Sequence, residues 1–209
     1  MTNLFFIRHG EALTVKGGIV DDYGLTEIGR KQAERLRDRL IRTGEIEADA
    51  LLASSNLRAR QTAEIIAPAL RLPVEYDDDF QELRPGEAIG LLEEEVEKRL
   101  EGNRPRTNPF GTIAAGAENW PQFVLRVGTA IYRIGEQYDG KTVAIVCHGG
   151  VIDCAFQYFF GLNAFEMPKA SFHTNHTSIT RWSRIEDGTP AGGWLLAKYN
   201  DDMHLHIEF

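Results

Sequence analysis

Cysteine is nearly missing from this chain: of 209 residues only two carry a thiol. Cys147 ends an apolar run and Cys154 follows in the next helical stretch, so they read as small core residues. Two thiols are too few for a disulfide framework or a structural zinc cluster. Long apolar runs are missing too. No stretch approaches the ~20 residues that cross a bilayer, which argues against a membrane partner. The first apolar run breaks at Arg8, too early for a signal peptide, so a cytoplasmic location is expected. Positive charge is in deficit, with 23 Lys and Arg against 31 Asp and Glu, a formal net charge of −8. That balance argues against a nucleic-acid partner, which needs a dense basic face, yet it permits a few inward-facing arginines around a small anion. Repeats and low-complexity segments are absent as well. What remains, 43% hydrophobic and 26% charged residues, is ordinary globular composition, and 209 residues suit one large core.

Two apolar runs end alike. Leu4-Phe5-Phe6-Ile7 leads into Arg8-His9-Gly10, and Val143-Ala144-Ile145-Val146-Cys147 leads into His148-Gly149-Gly150. A short continuous apolar run bounded by glycine reads as a strand buried on both faces of a mainly parallel sheet. Each histidine then stands at a strand's carboxyl end, where open α/β sheets bind ligands. Further strands are predicted at Ala50–Ala53, Leu72–Tyr76, Ser178–Trp182 and Trp194–Tyr199.

Helices fall between the strands. Thr26 is placed to cap one that carries Ile28, Ala33, Leu36 and Leu40 on its apolar face. Ser54-Ser55-Asn56, a cluster of cap-forming residues, precedes a second helix starting at Leu57-Arg58. Asn119 caps a third, through Phe123, Val127 and Ile131. Residues 82–118 are irregular, with an acidic helical run at Glu93–Glu97 and a Pro/Asn/Gly stretch from Arg104 to Gly116, and are expected to form a lid inserted over the strand ends.

Arg58 occupies a first helical turn, where the macrodipole disfavours a cation unless an anion sits with it. Helix N-termini bind phosphate through free N–H groups, and a guanidinium adds a bidentate pair of charge-assisted bonds. Arg8 beside His9 repeats that theme at a strand end.

Together these strings resemble a known family. Ile7-Arg8-His9-Gly10-Glu11 is similar to the Arg-His-Gly signature of the histidine phosphatase superfamily, which includes the cofactor-dependent phosphoglycerate mutases. In family order follow Leu25-Thr26-x-x-Gly29-x-x-Gln32-Ala33, Ser54-x-x-x-Arg58-Ala59-x-Gln61-Thr62-Ala63 and Glu82-x-x-x-Gly86-Glu87-x-x-Gly90. Gly116-Ala117-Glu118, Val146-Cys147-His148-Gly149-Gly150 and Asn200-Asp201-x-x-His204-Leu205 complete the series, from residue 4 to residue 205.

The resemblance implies a single domain over 1–209: an α/β three-layer sandwich, its mainly parallel sheet flanked by helices and its pocket at the strand ends under the 82–118 lid. It implies a phosphatase acting on a small phosphomonoester, with His9 as nucleophile and a phosphohistidine intermediate. Arg8, Arg58 and His148 then surround the phosphoryl oxygens, Gly149 and Thr14 add contacts, and Glu82 serves as proton donor and acceptor. No metal and no cofactor are expected, and the oligomeric state is left open.

The family pattern is broken at Ala12 and Val15, where a Thr or Ser and a phosphate-contacting Asn often stand, so Thr14 or the Lys16–Gly24 loop is expected to substitute. Pro85, Ala88 and Ile89 also depart from it. Arg84, Lys16, Arg104 and Arg106 are candidate substrate cations, while His173, His176 and His206 match no catalytic position and His204 matches a packing one. Three alternatives stay open. A mutase generally has a longer chain with larger insertions; a non-catalytic phosphate binder would lose His9 or Glu82; a metal hydrolase on His9, His148 and Asp153 lacks a His-Glu-x-x-His motif.

Overall fold

A computed structural model describes residues 1–185 and 193–207. Six strands form one sheet in the order β5 (Val74–Tyr76), β4 (Ala50–Ala53), β6 (Thr142–Cys147), β1 (Asn3–Arg8), β7 (Ile179–Ile185), β8 (Gly193–Asp201). The first four run parallel, and β7 and β8 add an antiparallel edge. The apolar runs at β1 and β6 therefore sit in the middle, as their lack of polar alternation requires.

Alternate residues of each strand serve opposite faces. Leu4, Phe6, Val143, Ile145 and Cys147 pack under α4 (Trp120–Gln137) and α5 (Gly149–Phe159). Phe5, Ile7, Ala144 and Val146 pack under α1 (Glu27–Thr43) and α2 (Leu57–Leu70). The result is a mainly parallel α/β sheet flanked by helices on both faces. Cys147 and Cys154 are buried free thiols in the first of these cores.

Thr26 and Asn119 cap as expected. The Thr26 hydroxyl accepts from Gly29 N–H, and Asn119 forms a reciprocal capping box with Gln122. One face assignment needs correcting: Ile28 is 57% exposed, and the buried positions of α1 start at Gly29 and continue through Ala33, Leu36 and Leu40. The cause is a backbone contact. A Cβ on Gly29 would stand 1.9 Å from the Glu11 carbonyl oxygen, and one on Gly10 2.4 Å from the Gly29 carbonyl oxygen. The helix start thus presses directly on the turn after His9, and Gly29 rather than Ile28 makes the contact.

The Lys16–Gly24 loop contains an unexpected two-stranded ribbon, β2 (Val15–Lys16) with β3 (Ile19–Val20). Val20 exchanges backbone bonds with Leu91 and Gly90, tying this ribbon to the irregular segment. That segment holds the acidic helix α3 (Glu93–Leu100). It is strapped to the body by Glu118, which accepts from Arg84 N–H and from the Arg126 guanidinium. No helix among the described residues is long and apolar enough to cross a membrane.

Candidate active site

The parallel register pairs Arg8 with Cys147, so the next residues, His9 and His148, leave neighbouring strand ends together. Their rings lie 5.0 Å apart between centroids. His9 Nδ1 lies 2.7 Å from the Gly10 carbonyl oxygen, which can only accept, so Nδ1 carries the proton and Nε2 a lone pair. Arg58 Nε donates to that Nε2 at 3.2 Å. Burial, reinforced by the Arg58 guanidinium, holds the pKa of both imidazoles well below the ordinary histidine value, so each is neutral near pH 7.

His148 is fully buried and its Nε2 lies 2.8 Å from Ser54 Oγ. Its Nδ1 has no partner, and neither does Arg8 Nε, both buried. An orphaned buried polar atom costs about 1–3 kcal/mol. Two of them on the neighbours of the His9 ring point to a place where a polar ligand docks. Arg8 is oriented by its other nitrogen, Nη1, which donates to the Thr174 carbonyl.

Glu82 is fixed from two sides. Its carboxylate accepts from Leu83 N–H at 3.0 Å and from Gly150 N–H at 3.1 Å, the second at the start of α5. Its backbone N–H donates to Asn56 Oδ1, and Arg126 donates to its carbonyl. Gly150 is required here, since a Cβ would stand 2.2 Å from Glu82 Oε1. Gly149 packs beside Arg8, its notional Cβ being 3.7 Å from Arg8 Nε, an ordinary van der Waals distance. Beside Arg58 and Glu82 opens a cavity of about 400 Å3.

An imidazole whose Nε2 lone pair is held by Arg58, two arginines, a second neutral imidazole and a carboxylate form a site suited to an anion. Comparison with known proteins agrees. The family model of the histidine phosphatase superfamily, branch 1, matches residues 4–202. The chain belongs to that superfamily. A probable phosphatase of Schizosaccharomyces pombe is 32% identical over 219 residues, covering 98% of this chain and 96% of that protein. A phosphoglycerate mutase-like protein of Arabidopsis thaliana is 31% identical over 212 residues, covering 95% and 85%. Among solved structures, the phosphoserine phosphatase of Entamoeba histolytica in complex with 3-phosphoglyceric acid superposes with a TM-score of 0.71 at 25% identity, covering 98% of this chain and all of that one.

Within this histidine phosphatase fold, His9, Arg8, Arg58 and His148 converge, with Gly149 against Arg8 and Glu82 on the wall of the adjoining cavity. Thr14 is exposed on the cavity rim, and its carbonyl accepts from Asp21 N–H. The expected substrate cations are otherwise engaged. Arg84 donates to Gln81 and the Asp78 carbonyl, Arg104 pairs with Glu97, and Arg106 donates to the carbonyls of Pro168 and Lys169. Lys16 is exposed on the ribbon and is not part of the cavity wall.

Sequence reasoning missed several participants. His176, read as structural or exposed, lies 5.7 Å from His9 between ring centroids, with its pKa lowered to about 4 by burial and then by Arg8. Asp22 pairs with Arg58 at 3.0 Å. Ser54 and Asn56, read as helix caps, turn inward instead: Asn56 makes no side-chain cap, and both hold site residues. His204 packs as expected, fully buried with Thr177 and Arg39 as partners, while His173 and His206 are exposed. Asp153, with an unpartnered buried Oδ1, has its pKa raised to about 6 by burial.

Proposed function

We propose that this chain hydrolyses a small phosphomonoester through a phosphohistidine formed on His9. Its family makes it a phosphatase-type enzyme acting on phosphate esters. The observation that carries the residue assignment is the pair of buried, unpartnered atoms, Arg8 Nε and His148 Nδ1, beside the His9 lone pair.

In the first step Arg58 turns from His9 Nε2 to the phosphoryl oxygens. The freed lone pair attacks phosphorus, an N–P bond forms and the ester P–O bond breaks. Glu82 gives its proton to the departing alkoxide. Arg8 Nε and His148 Nδ1–H donate to the phosphoryl oxygens, the latter when the Ser54 hydroxyl donates to His148 Nε2. Gly10 keeps the Nδ1 proton and stabilises the positive charge of the phosphoimidazole. In the second step Glu82 takes a proton from water, whose oxygen attacks phosphorus as the N–P bond breaks. Inorganic phosphate leaves and neutral His9 returns.

The segment 82–118 is the lid of this single-domain enzyme of residues 1–209, a reading supported by Gly86, Ile89 and Gly116, which line the same cavity as Arg58. Two buried free thiols fit a reducing cytoplasm. Brief incubation with substrate and an alkaline quench should trap acid-labile, alkali-stable phosphate on His9. Label persisting in His9→Ala would refute the assignment. The Arabidopsis relative, named mutase-like, keeps a second reading alive. Phosphoryl transfer between phosphoglycerates, primed with bisphosphoglycerate and outpacing hydrolysis, would favour it.

A further inference from the structure

Resting on the phosphatase reading, we infer that His176 is a further phosphate-binding residue, one that takes up a proton when the phosphoryl group docks and holds that group as an imidazolium. Its ring lies 5.7 Å from the His9 ring between centroids, beside the 5.0 Å that separates His9 from His148. The nucleophile thus has two imidazole neighbours.

The loop that carries His176 is pinned on both sides of it. The Thr174 carbonyl accepts from Arg8 Nη1, Asn175 N–H donates to Asn200 Oδ1 at 2.6 Å, and Thr177 N–H donates to the Arg8 carbonyl at 2.9 Å. Thr177 holds φ at 58°, which is unfavourable for a β-branched residue. Such strain persists only where the surroundings enforce it, and here they seat the loop on Arg8 and His9. The half-buried His176 ring itself makes no hydrogen bond among the described residues. Its neighbours are committed and it is not.

A phosphoryl dianion at His9 calls for more positive charge than the two arginines supply. The charges that act most strongly on His9 are those of Arg58, Arg8 and His176, and Arg58 is paired with Asp22 at 3.0 Å. In the free enzyme His176 adds none, because burial, reinforced by Arg8 and opposed by Glu11, lowers its pKa to about 4. A docked dianion reverses this. Roughly 6 Å from the ring, at an effective dielectric constant near 30, it raises the proton affinity several hundredfold. That returns His176 to the range of an ordinary histidine, so near pH 6 it is neutral without the anion and charged with it. The protonated ring binds the dianion better, so its contribution is present near pH 6 and is lost as pH rises toward 8.

Sulfate is the probe, since it stays dianionic throughout this range and any proton taken up belongs to the protein. Nitrogen NMR of the unaltered enzyme, with His176 assigned by its loss in His176→Asn, should show a neutral ring near pH 6 that becomes mostly protonated at saturating sulfate. His176→Asn should weaken sulfate binding about fivefold near pH 6 and less than about twofold near pH 8. Asp153 and Glu82 also gain protons beside a dianion, but they do so in both proteins and cancel in the ratio of the two Kd values. A ring that stays neutral at saturating sulfate, sulfate that perturbs neither His9 nor His176, or a Kd ratio equal at both pH values overturns this inference. p-Nitrophenyl phosphate tests the reading beneath it separately. Turnover by the unaltered enzyme sustains the phosphatase whatever His176 does. No turnover, beside a His176 that charges with sulfate, defeats the phosphatase and leaves the anion contact standing.

Discussion

Adding one methyl group at Gly150 should disable Glu82 without touching it chemically. The Cβ of Gly150→Ala would stand 2.2 Å from Glu82 Oε1 and 3.0 Å from the Phe123 ring. A carbon and an oxygen meet comfortably at about 3.3 Å, so the carboxylate must retreat by about 1 Å, or swing away and lose the bond it accepts from Gly150 N–H. A displacement of about 1 Å from productive geometry costs on the order of a hundredfold in rate. Because general acid catalysis matters only where the leaving group needs a proton, the loss should fall on alkyl phosphates. p-Nitrophenyl phosphate, whose phenolate leaves unaided, should lose less than about tenfold. Folding should be little affected, since alanine's helix propensity, about 1 kcal/mol better than glycine's, offsets part of the strain. The assay is kcat on both substrate types in Gly150→Ala beside Glu82→Gln, with thermal melting as control. Full turnover of alkyl phosphates by Gly150→Ala, or equal losses on both substrate types, would refute the placement of the acid.

Three other outcomes are expected. Arg58→Ala should lose roughly 10²–10³-fold in kcat as a preorganised donor to the transferring group, and Arg58→Lys should recover little because an ammonium lacks the fork; near-normal turnover in Arg58→Ala would return it to surface charge. Nitrogen NMR of the free enzyme should show His9 as the neutral Nδ1–H tautomer from pH 8 down to pH 6, since burial and then Arg58 lower its pKa; protonation with a midpoint near 6.5 would contradict the site's electrostatics. Arg39 pairs with Asp201 at 2.6 Å and with Glu45 at 2.5 Å, so Arg39→Met should leave both carboxylates to Lys198 alone and cost about 2 kcal/mol, read as a drop of roughly 4–8 °C in Tm. The bond from Arg39 depresses the Asp201 pKa, so this stabilisation is present above about pH 4 and fades as acid protonates Asp201; the Tm gap between the two proteins should therefore close from pH 5 toward pH 2, and a gap that stays constant would refute the cause.

The sequence by itself determined the strands of the main sheet and the helix starts, and it named the residues that gather at its strand ends. Continuous apolar runs at Leu4–Ile7 and Val143–Cys147 are legible because a strand buried on both faces needs no polar alternation, and Thr26 and Asn119 because a cap is a bond across three residues. His9, His148, Arg8, Arg58 and Glu82 were legible through motifs whose spacing lies within a few residues. Only the tertiary structure decided what meets across long separations. His176 reaches His9 because the loop before β7 folds back over the strand ends. Ser54 and Asn56 abandon helix capping because His148 and the Glu82 backbone arrive within hydrogen-bond distance. Ile28 faces water because Gly29 approaches the Glu11 carbonyl too closely for any side chain. Asp22 lies in the loop expected to supply a phosphate contact, yet it pairs with Arg58. Local bonding preferences are written in neighbouring residues. The partner of a side chain, and with it the charge of a pocket, is fixed only when sheet register and loop closure bring distant segments together.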